Sequence, residues 1–406
     1  MPAKKSRQQT SENYDVAIIG GGLAGLTLAC LLGRDGINVA VIDAADPAQP
    51  MSADERTTAI SYGSSLILQD AGVWETLSAK GAPIRDIQIL DGESPLLLNF
   101  LSQEVEGKPF GTIVLNADIR SVLTKRAAAL DSVTLIAPAK VSDFALIEGG
   151  QSVMVKLDGG KEISARLAIG ADGRKSFMRD WLDIDVRSWD YRQRAVICQV
   201  AHENPHDNVA VEHFYPEGPF AILPMADAKG DTHRSSVVFT EHGPEARSWM
   251  RASRNAFELA LQNKFPAHYG NIKMMGERSV YPLGLVHAAR YIAPRMALMA
   301  DAAHGIHPIA GQGLNLGYRD VKEMAELVRE AYAKGEDIGA PDLLETYQRR
   351  RRPDNVAMIA FTDGLVRLFS NNFPPLRLMR RAGLKAVGKF PLAKRFFMKQ
   401  AMADKG

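Results

Sequence analysis

Hydrophobic positions along the chain follow two rhythms. Near the start, YDVAIIG reads as a buried strand, GGLAGLTLACLLGRDG as a helix and NVAVID as a second strand, a βαβ unit of ordinary length. The first 13 residues, all but free of apolar side chains, are expected to be disordered. A polar loop, AADPAQPMSADER, follows the unit, and AISYGSSLILQDAGVWETL has helical apolar spacing. IRDIQILDGE and PLLLNF alternate as strands, and ADIRSVLTKRAAAL is an amphipathic helix. VTLIAP, SVMVKLDGG and EISARLAIGADG predict strands that end in a second glycine-containing turn. From about Ser188 to Pro282 the rhythm changes: AVICQVAH, NVAVEHFY, FAILPMAD and RSSVVFTEH are period-two strands joined by polar turns. That pattern predicts an antiparallel sheet separate from the α/β part. ALMADAAHGIHPIAGQGLNLGYRD, Ala297 to Asp320, then returns to strand, turn and helix, and four or more helical segments close the chain.

The expected fold class is therefore α/β. A discontinuous Rossmann-like domain (14–83, 110–185 and 283–350) is interrupted by an antiparallel β-sheet domain (84–109 and 186–282), and a helical region (351–406) follows. A chain of 406 residues has the length for two domains. Its composition, 46% hydrophobic and 24% charged, is that of a soluble globular protein. Two cysteines, Cys30 and Cys198, exclude a disulfide framework and a structural zinc site, and suit a reducing cytoplasm. Val16 to Gly33 is an uncharged run of 18 behind Lys4, Lys5 and Arg7, the length of a signal or membrane segment. Glu12 and Asp15 interrupt the positive flank, and the run holds five glycines, so strand, turn and helix account for it better.

The net charge of +2 hides an asymmetry. From Leu365 onward ten Lys/Arg face one acid, which leaves the tail at +9 and the remainder at −7. A basic tail interleaved with Leu, Phe and Met fits a helix pair packed on the body, or a surface that meets anionic lipid. No nucleic-acid partner is expected, because nothing outside the tail supplies a basic groove with stacking aromatics.

Three stretches carry chemistry. Gly20-Gly21-Gly22-Leu23-Ala24-Gly25 is a G-x-G-x-x-G between strand and helix. Gly20 permits the tight turn, Gly22 a close approach to pyrophosphate and Gly25 close helix packing, while Asp43 at the end of the second strand suits ribose hydroxyls. An acid there disfavours a 2′-phosphate, so FAD or NAD fits better than NADP. Ala168 to Arg174, with Asp172-Gly173 in the turn, reads on its own as a structural strand end. In the third stretch Asp301 follows a strand directly, where a carboxylate suits a ribityl or ribose hydroxyl. Gly311, Gly313, Leu314 and Asn315 open a helix whose amides suit negative charge on a ring being reduced.

Together GGGLAGLTLACLL, the Asp-Gly turn and DAAHGIHPIAGQGLNLG resemble the FAD-dependent aromatic-ring monooxygenases of the para-hydroxybenzoate hydroxylase fold. DERTTAISYGS, FAILPM and DAAHGIHPIAGQGLNLGYRD are most similar to the ubiquinone-biosynthesis hydroxylases, the UbiH, UbiF and VisC group. The resemblance runs from about Tyr14 to about Ala401. It implies that Gly20, Gly22, Gly25 and Asp43 hold the ADP half of FAD, and that Arg56 and Arg120 reach the flavin cofactor and its pyrophosphate. It implies further that Asp172 serves FAD and NAD(P)H, that Asp301 binds the ribityl chain, and that Pro308 to Asn315 line the isoalloxazine ring. His304, His307, Pro308 and Gln312 become the candidates for contact with the reacting centre. The two histidines read chiefly as loop structure or flavin positioning, and they have no third metal ligand nearby in sequence.

Phe220, Ile222, Leu223 and Pro224 are expected to roof a substrate pocket over the flavin. The implied chemistry is flavin reduction by transient NAD(P)H, a C4a-hydroperoxide formed with O2, and oxygen transfer to the ring of a polyprenyl phenol. The implied setting is ubiquinone biosynthesis, with other proteins of that pathway as partners. The protein is expected in the cytoplasm, peripheral at the inner face of the membrane through its basic tail. A flavin reductase without oxygen transfer, and a non-catalytic subunit of a biosynthetic complex, are the alternatives. One departure from the family pattern is Ala300 before Asp301, where glycine is usual.

Overall fold

The structure is a computed structural model that describes residues 12–46, 54–92, 97–147, 149–228, 232–370 and 374–403, except the side chains of residues 310 and 376. Residues 1–11 and 47–53, the larger parts of the expected disordered start and polar loop, lie outside the described residues, as do the first two of PLLLNF and the last three of the basic tail.

A mostly parallel sheet forms the first layer, in the order Met296–Leu298, Glu162–Gly170, Glu12–Ile19, Val39–Ile42, Val133–Ile136. Its central strands are continuous apolar runs because both faces are covered. Helix Leu23–Arg34 is buried from Ala24 to Gly33, wedged between the sheet and helices Asn116–Ala128 and Gln312–Ala333. Register decides the function of this layer. Ile19 pairs with Gly170 and with Ile42, and Gly170 pairs with Leu298. The three strands that precede the three chemical stretches therefore end at one level, and Gly20, Ala171 and Met299 leave the sheet side by side. Ligands of open α/β sheets bind outside such carboxyl ends.

The second sheet has the order His304–Gly305, Ile272–Ala288, Val186–His202, Thr232–His242, Gly218–Ala228, Val209–Tyr215, Asp86–Asp91, Leu98–Leu101. Its ladders are antiparallel except one, Val209–Tyr215 with Asp86–Asp91, which is parallel. One face packs Val196, Phe220, Ile222, Val237 and Phe239 against helices Gly243–Arg251 and Arg254–Gln262. The other face looks toward the α/β layer across a cavity. A small third sheet joins Thr57–Ser61, Gly111–Leu115 and Ala82–Ile84.

Local expectations fail where pairing partners lie far away in sequence. Thr57–Ser61, partly read as helix, is a strand against Gly111–Leu115, and the helix starts only at Tyr62, where the Ser61 hydroxyl accepts from the Ser64 N–H. Glu12 and Asn13, placed in the disordered start, extend the first strand. Strand Val141–Leu146 was not foreseen. The boundary expected at residue 350 falls inside the 29-residue helix Pro341–Phe369. Both cysteines are fully buried and free, and burial pushes each thiol up to about 12.

The tail forms helices Pro374–Lys389 and Pro391–Met402. Part of its charge is consumed internally. Buried Arg380 and neighbouring Arg381 both pair with buried Asp91, at 2.5 and 2.8 Å, and Lys394 pairs with Glu104 at 2.5 Å. Met398 and Met402 face the core. Among the described residues, no helix is long and apolar enough to cross a membrane.

Candidate functional site

A cavity of about 1420 Å³ runs between the two layers and on to the C-terminal helices. It exceeds the roughly 300–1,000 Å³ of a pocket for one drug-sized ligand. Its floor holds Gly22, Leu23, Gly173 and Asp301, together with Gly311 to Asn315. Its roof is one face of the second sheet, where Ala195, Ile197, Pro219, Ala221, Leu223 and Val238 alternate with the core residues behind them.

Two helices begin at this floor. Leu23–Arg34 starts after Gly22 and Gln312–Ala333 after Gly311; neither has a side-chain cap or an acid in its first turn. Their free N–H groups and dipoles favour negative charge. The glycines fit a dinucleotide. A Cβ at Gly20 would meet the Ala171 carbonyl oxygen at 2.4 Å, and one at Gly25 would meet the Gly20 oxygen at 2.0 Å, so both serve the turn itself. A Cβ at Gly22 or Gly313 would project with nothing within 4 Å, leaving room for a phosphate and a ring against the backbone. Asp43 accepts from Ala45 N–H at 2.7 Å and from Arg120 at 3.4 Å, in a small side pocket that shares Arg120 with the main cavity. FAD fits this donor set: one anion-binding helix start and one carboxylate for each half of the molecule.

Arg56 lines the cavity but is held by Asp54 at 2.6 and 2.7 Å and lies over the Tyr281 ring. Asp301 faces the cavity, half exposed, with Arg174 at 3.7 Å. Arg174 also donates to the carbonyls of Gly284 at 3.1 Å and Ile306 at 2.6 Å, fastening the loop that carries His307. Asn315 lines the cavity, and its side chain staples the helix start to the third sheet through Ser61 N–H and the Ala59 oxygen. Asp172 turns away from the cavity and accepts from Met178 N–H at 3.2 Å, although its neighbours Ala171 and Gly173 line it.

His304 and His307 part company. His304 is 1% exposed, absent from the cavity wall, and hydrogen-bonded through Nε2 to buried Asp320. It is removed from the candidates for contact with the reacting centre, because the helix that follows takes its ring inward. His307 is on the wall, edge-on to Tyr191. Its Nδ1 accepts from Ile309 N–H at 3.2 Å, so the proton sits on Nε2, which has no partner among the described residues. Burial, then Arg174, pushes its pKa down to about 4. At neutral pH it is a hydrogen-bond donor and not an acid. Pro308, Gln312 and Gly313 also line the cavity.

The expected roof needs a second correction. Phe220 and Ile222 lie in the core on the far face, and Pro224 is off the wall, while Leu223 is on it. The strand alternates, so the cavity receives the odd-numbered positions Pro219, Ala221 and Leu223. Three contributions were missed at the sequence level. Arg174 follows the Asp-Gly turn. Glu212 is the one carboxylate on the cavity face of NVAVEHFY, a sign visible as a charge among alternating Ala and Phe. Burial pushes its carboxyl up to about 7. The third is the Asp320 cluster. Asp320 accepts from Ala300 N–H at 3.0 Å, Arg351 Nε at 2.7 Å, Asn355 at 3.3 Å and His304. Burial pushes its pKa up, but His304 and Arg351 outweigh that and hold it at about 2. No local signal marks this cluster.

Converging strand ends, two uncapped helix starts and an apolar roof fit a flavin-binding oxidoreductase. Residues 13–362 match the FAD binding domain family. Ubiquinone hydroxylase UbiL of Rhodospirillum rubrum is 43% identical over 390 residues, 96% of this chain and 89% of that protein. The 3-demethoxyubiquinol 3-hydroxylase of Escherichia coli is 34% identical, over 97% of this chain and 99% of that one. Among solved structures, p-nitrophenol 4-monooxygenase PnpA of Pseudomonas putida shares the fold at TM-score 0.78 and 18% identity, covering 97% of this chain and 100% of that one. The chain belongs to the FAD-dependent monooxygenases, in the branch of the ubiquinone-biosynthesis hydroxylases.

Ala300, the departure from the family pattern, has φ of +50°. That region costs a non-glycine residue about 1–2 kcal/mol. Its methyl is accommodated by Gly317 on the facing helix, where a Cβ would come within 2.8 Å of it. In urea unfolding, Gly317→Ala is expected to cost about 1–3 kcal/mol in the native background through overpacking. Once Ala300→Gly removes the methyl, the same change becomes stabilising by up to about 1 kcal/mol through helix propensity. Additive effects would refute the contact.

The His307 shift predicts a pH dependence. The unfolded chain protonates a histidine near 6.5, whereas folded His307 stays neutral to about pH 4. Between those values the unfolded state binds more protons, so stability falls as pH is lowered from about 7 to 5. His287, also lowered to about 4 by burial, acts in the same direction. His307→Gln should flatten the slope of unfolding free energy against pH by about one proton. An unchanged slope would place that proton elsewhere.

Proposed function

We propose that the protein hydroxylates the aromatic ring of a polyprenyl phenol in ubiquinone biosynthesis, with NAD(P)H and O2 as co-substrates. One observation carries the reading. The cavity continues from the flavin end into an apolar stretch lined by Leu365, Leu368, Leu384, Phe396 and Phe397, a wall suited to an isoprenoid tail. The names of its relatives agree with a quinone-pathway substrate.

FAD held in this cavity would supply the redox chemistry, hydride acceptance and activation of O2 for transfer of one oxygen atom. The chain supplies position and shielding. The helix start at Gly22 would hold the pyrophosphate, and Asp301 would take a ribityl hydroxyl. Amides at the start of helix Gln312–Ala333 would stabilise charge on the ring. The apolar roof excludes water, which would otherwise divert activated oxygen. A reductase of small soluble substrates has no use for a long apolar extension of the cavity.

The substrate reaches the cavity from a membrane surface. On the tail helices Leu378, Phe390 and Leu392 are exposed and off the cavity wall, while Met379 and Phe396, also exposed, belong to it. Exposed Arg377, Lys385, Lys389, Arg395 and Lys399 accompany them. Apolar side chains among cations fit an anionic bilayer.

Deleting the gene in its host should cause a quinone precursor one hydroxyl short to accumulate, seen by mass spectrometry. The wild-type gene should clear it and Asp301→Ala should not. An unchanged quinone pool would overturn the pathway assignment. Vesicle sedimentation tests the surface: binding to phosphatidylglycerol vesicles should exceed binding to phosphatidylcholine and weaken with salt. Leu378→Glu with Leu392→Glu should reduce it at least tenfold, while turnover of a short-chain soluble phenol persists. Equal binding to both vesicle types would remove the role assigned to charge.

A further inference from the structure

We propose that Glu212 is the group that receives the ring hydroxyl of the substrate, accepting its hydrogen bond and then its proton, so that the ring enters the reaction electron-rich. The inference rests on the phenol reading above and adds the residue that recognises the phenol.

In Val209–Tyr215 the residues Ala210, Glu212 and Phe214 share the cavity face, and Val211 lies in the core behind. Glu212 pairs with Ala221 on one side and Ile89 on the other, and both line the same cavity. The carboxylate thus stands in the middle of an apolar roof. It is half-buried by area, and it belongs to the cavity wall. It makes no hydrogen bond or ion pair among the described residues. A carboxyl desolvated without a partner costs the fold several kcal/mol if ionised, and such groups gather where a ligand uses them.

Neighbouring charges are occupied elsewhere. Asp91, aligned with Phe214 on the adjacent strand, is locked to Arg380 and Arg381. His213 lies on the opposite face with Nε2 against the Gly92 oxygen. Elsewhere on the wall, Arg56 is held by Asp54, Arg319 is paired with Asp354, and His307 is neutral. Burial is the one cause of the raised Glu212 pKa, about 7, and it matches a base that works near neutral pH.

The proton transfer balances within the pair. The O–H bond of the phenol breaks, its electron pair stays on the ring oxygen, and one Glu212 oxygen gains the proton. The single negative charge moves from the protein to the ring, where it enriches the carbons ortho and para to the oxygen. An apolar roof disperses no part of that charge, so the ring keeps it.

The test uses the FAD-loaded enzyme and 4-fluoro-2-geranylphenol, with its methyl ether as the partner that has no proton to give. Binding is followed by ¹⁹F NMR. Wild type should prefer the phenol over the ether by about 10- to 100-fold, the range for a hydrogen bond to a charged group. That preference should grow as pH rises through about 7. Glu212→Gln should lose the pH dependence, and Glu212→Leu should lose the preference itself. Both should fold, since each removes a desolvated ionisable group, Gln at nearly the same shape and Leu as an apolar residue that suits the roof. Phenol hydroxylation should fall about 10²- to 10⁴-fold, the usual contribution of a general base. If wild type binds neither compound, the phenol reading fails. If wild type prefers the phenol and Glu212→Leu prefers it equally, the phenol reading stands and the assignment to Glu212 is overturned.

Discussion

One buried carboxylate holds the catalytic end of this protein together. Asp320 is fully buried and collects hydrogen bonds from a backbone amide, a histidine, an arginine and an asparagine. Those donors come from the turn after strand Met296–Leu298, from the short strand His304–Gly305 and from helix Pro341–Phe369. The Ala300 amide bond fixes the left-handed turn that sends Asp301 into the cavity. Removing one partner from such a cluster typically costs about 3–5 kcal/mol, because the remaining charges stay buried without compensation. The cluster spans elements about 50 residues apart, so it also fixes how helix Gln312–Ala333 meets the sheet.

That placement matters because the site is a convergence. The three chemical stretches are remote in sequence, yet their strands end in register, and the parallel sheet delivers them to one edge. Two helix starts then aim at the same space from different parts of the chain. Each supplies an anion-binding end without a charged side chain, which suits a cofactor whose ring changes charge during turnover. Arg174 and Asn315 tie these loops to the second and third sheets, so the floor and roof of the cavity are linked by hydrogen bonds as well as by packing.

The second sheet has a divided role. Its far face is an aromatic core with the helices Gly243–Arg251 and Arg254–Gln262, and its near face is the roof. Strand alternation makes the division sharp, since adjacent residues serve opposite sides. The C-terminal helices divide in the same way. Arg380, Arg381 and Lys394 are spent on ion pairs with the body, and the outward face keeps apolar side chains among the remaining cations. Packing on the body accounts for the inner side of the tail and leaves its outward apolar and basic side chains without a partner among the described residues.

Local chemistry determined a good deal of this from the sequence alone. The βαβ unit, the glycine turn with Asp43, the strand before Asp301 and the helix after Gly311 are short-range patterns, and each forms where its own residues predict it. The alternating strands of the second sheet were legible for the same reason. What required the tertiary structure is whatever depends on a partner distant along the chain. Thr57–Ser61 becomes a strand through Gly111–Leu115, and His304 becomes structural through Asp320 and Arg351. Period-two alternation shows that Phe220 and Leu223 face opposite ways, but only packing against helix Arg254–Gln262 decides which of them is core. Glu212 was visible as a charge in an apolar strand. Its place in the roof of a cavity was not, because a cavity is made by two layers and belongs to neither.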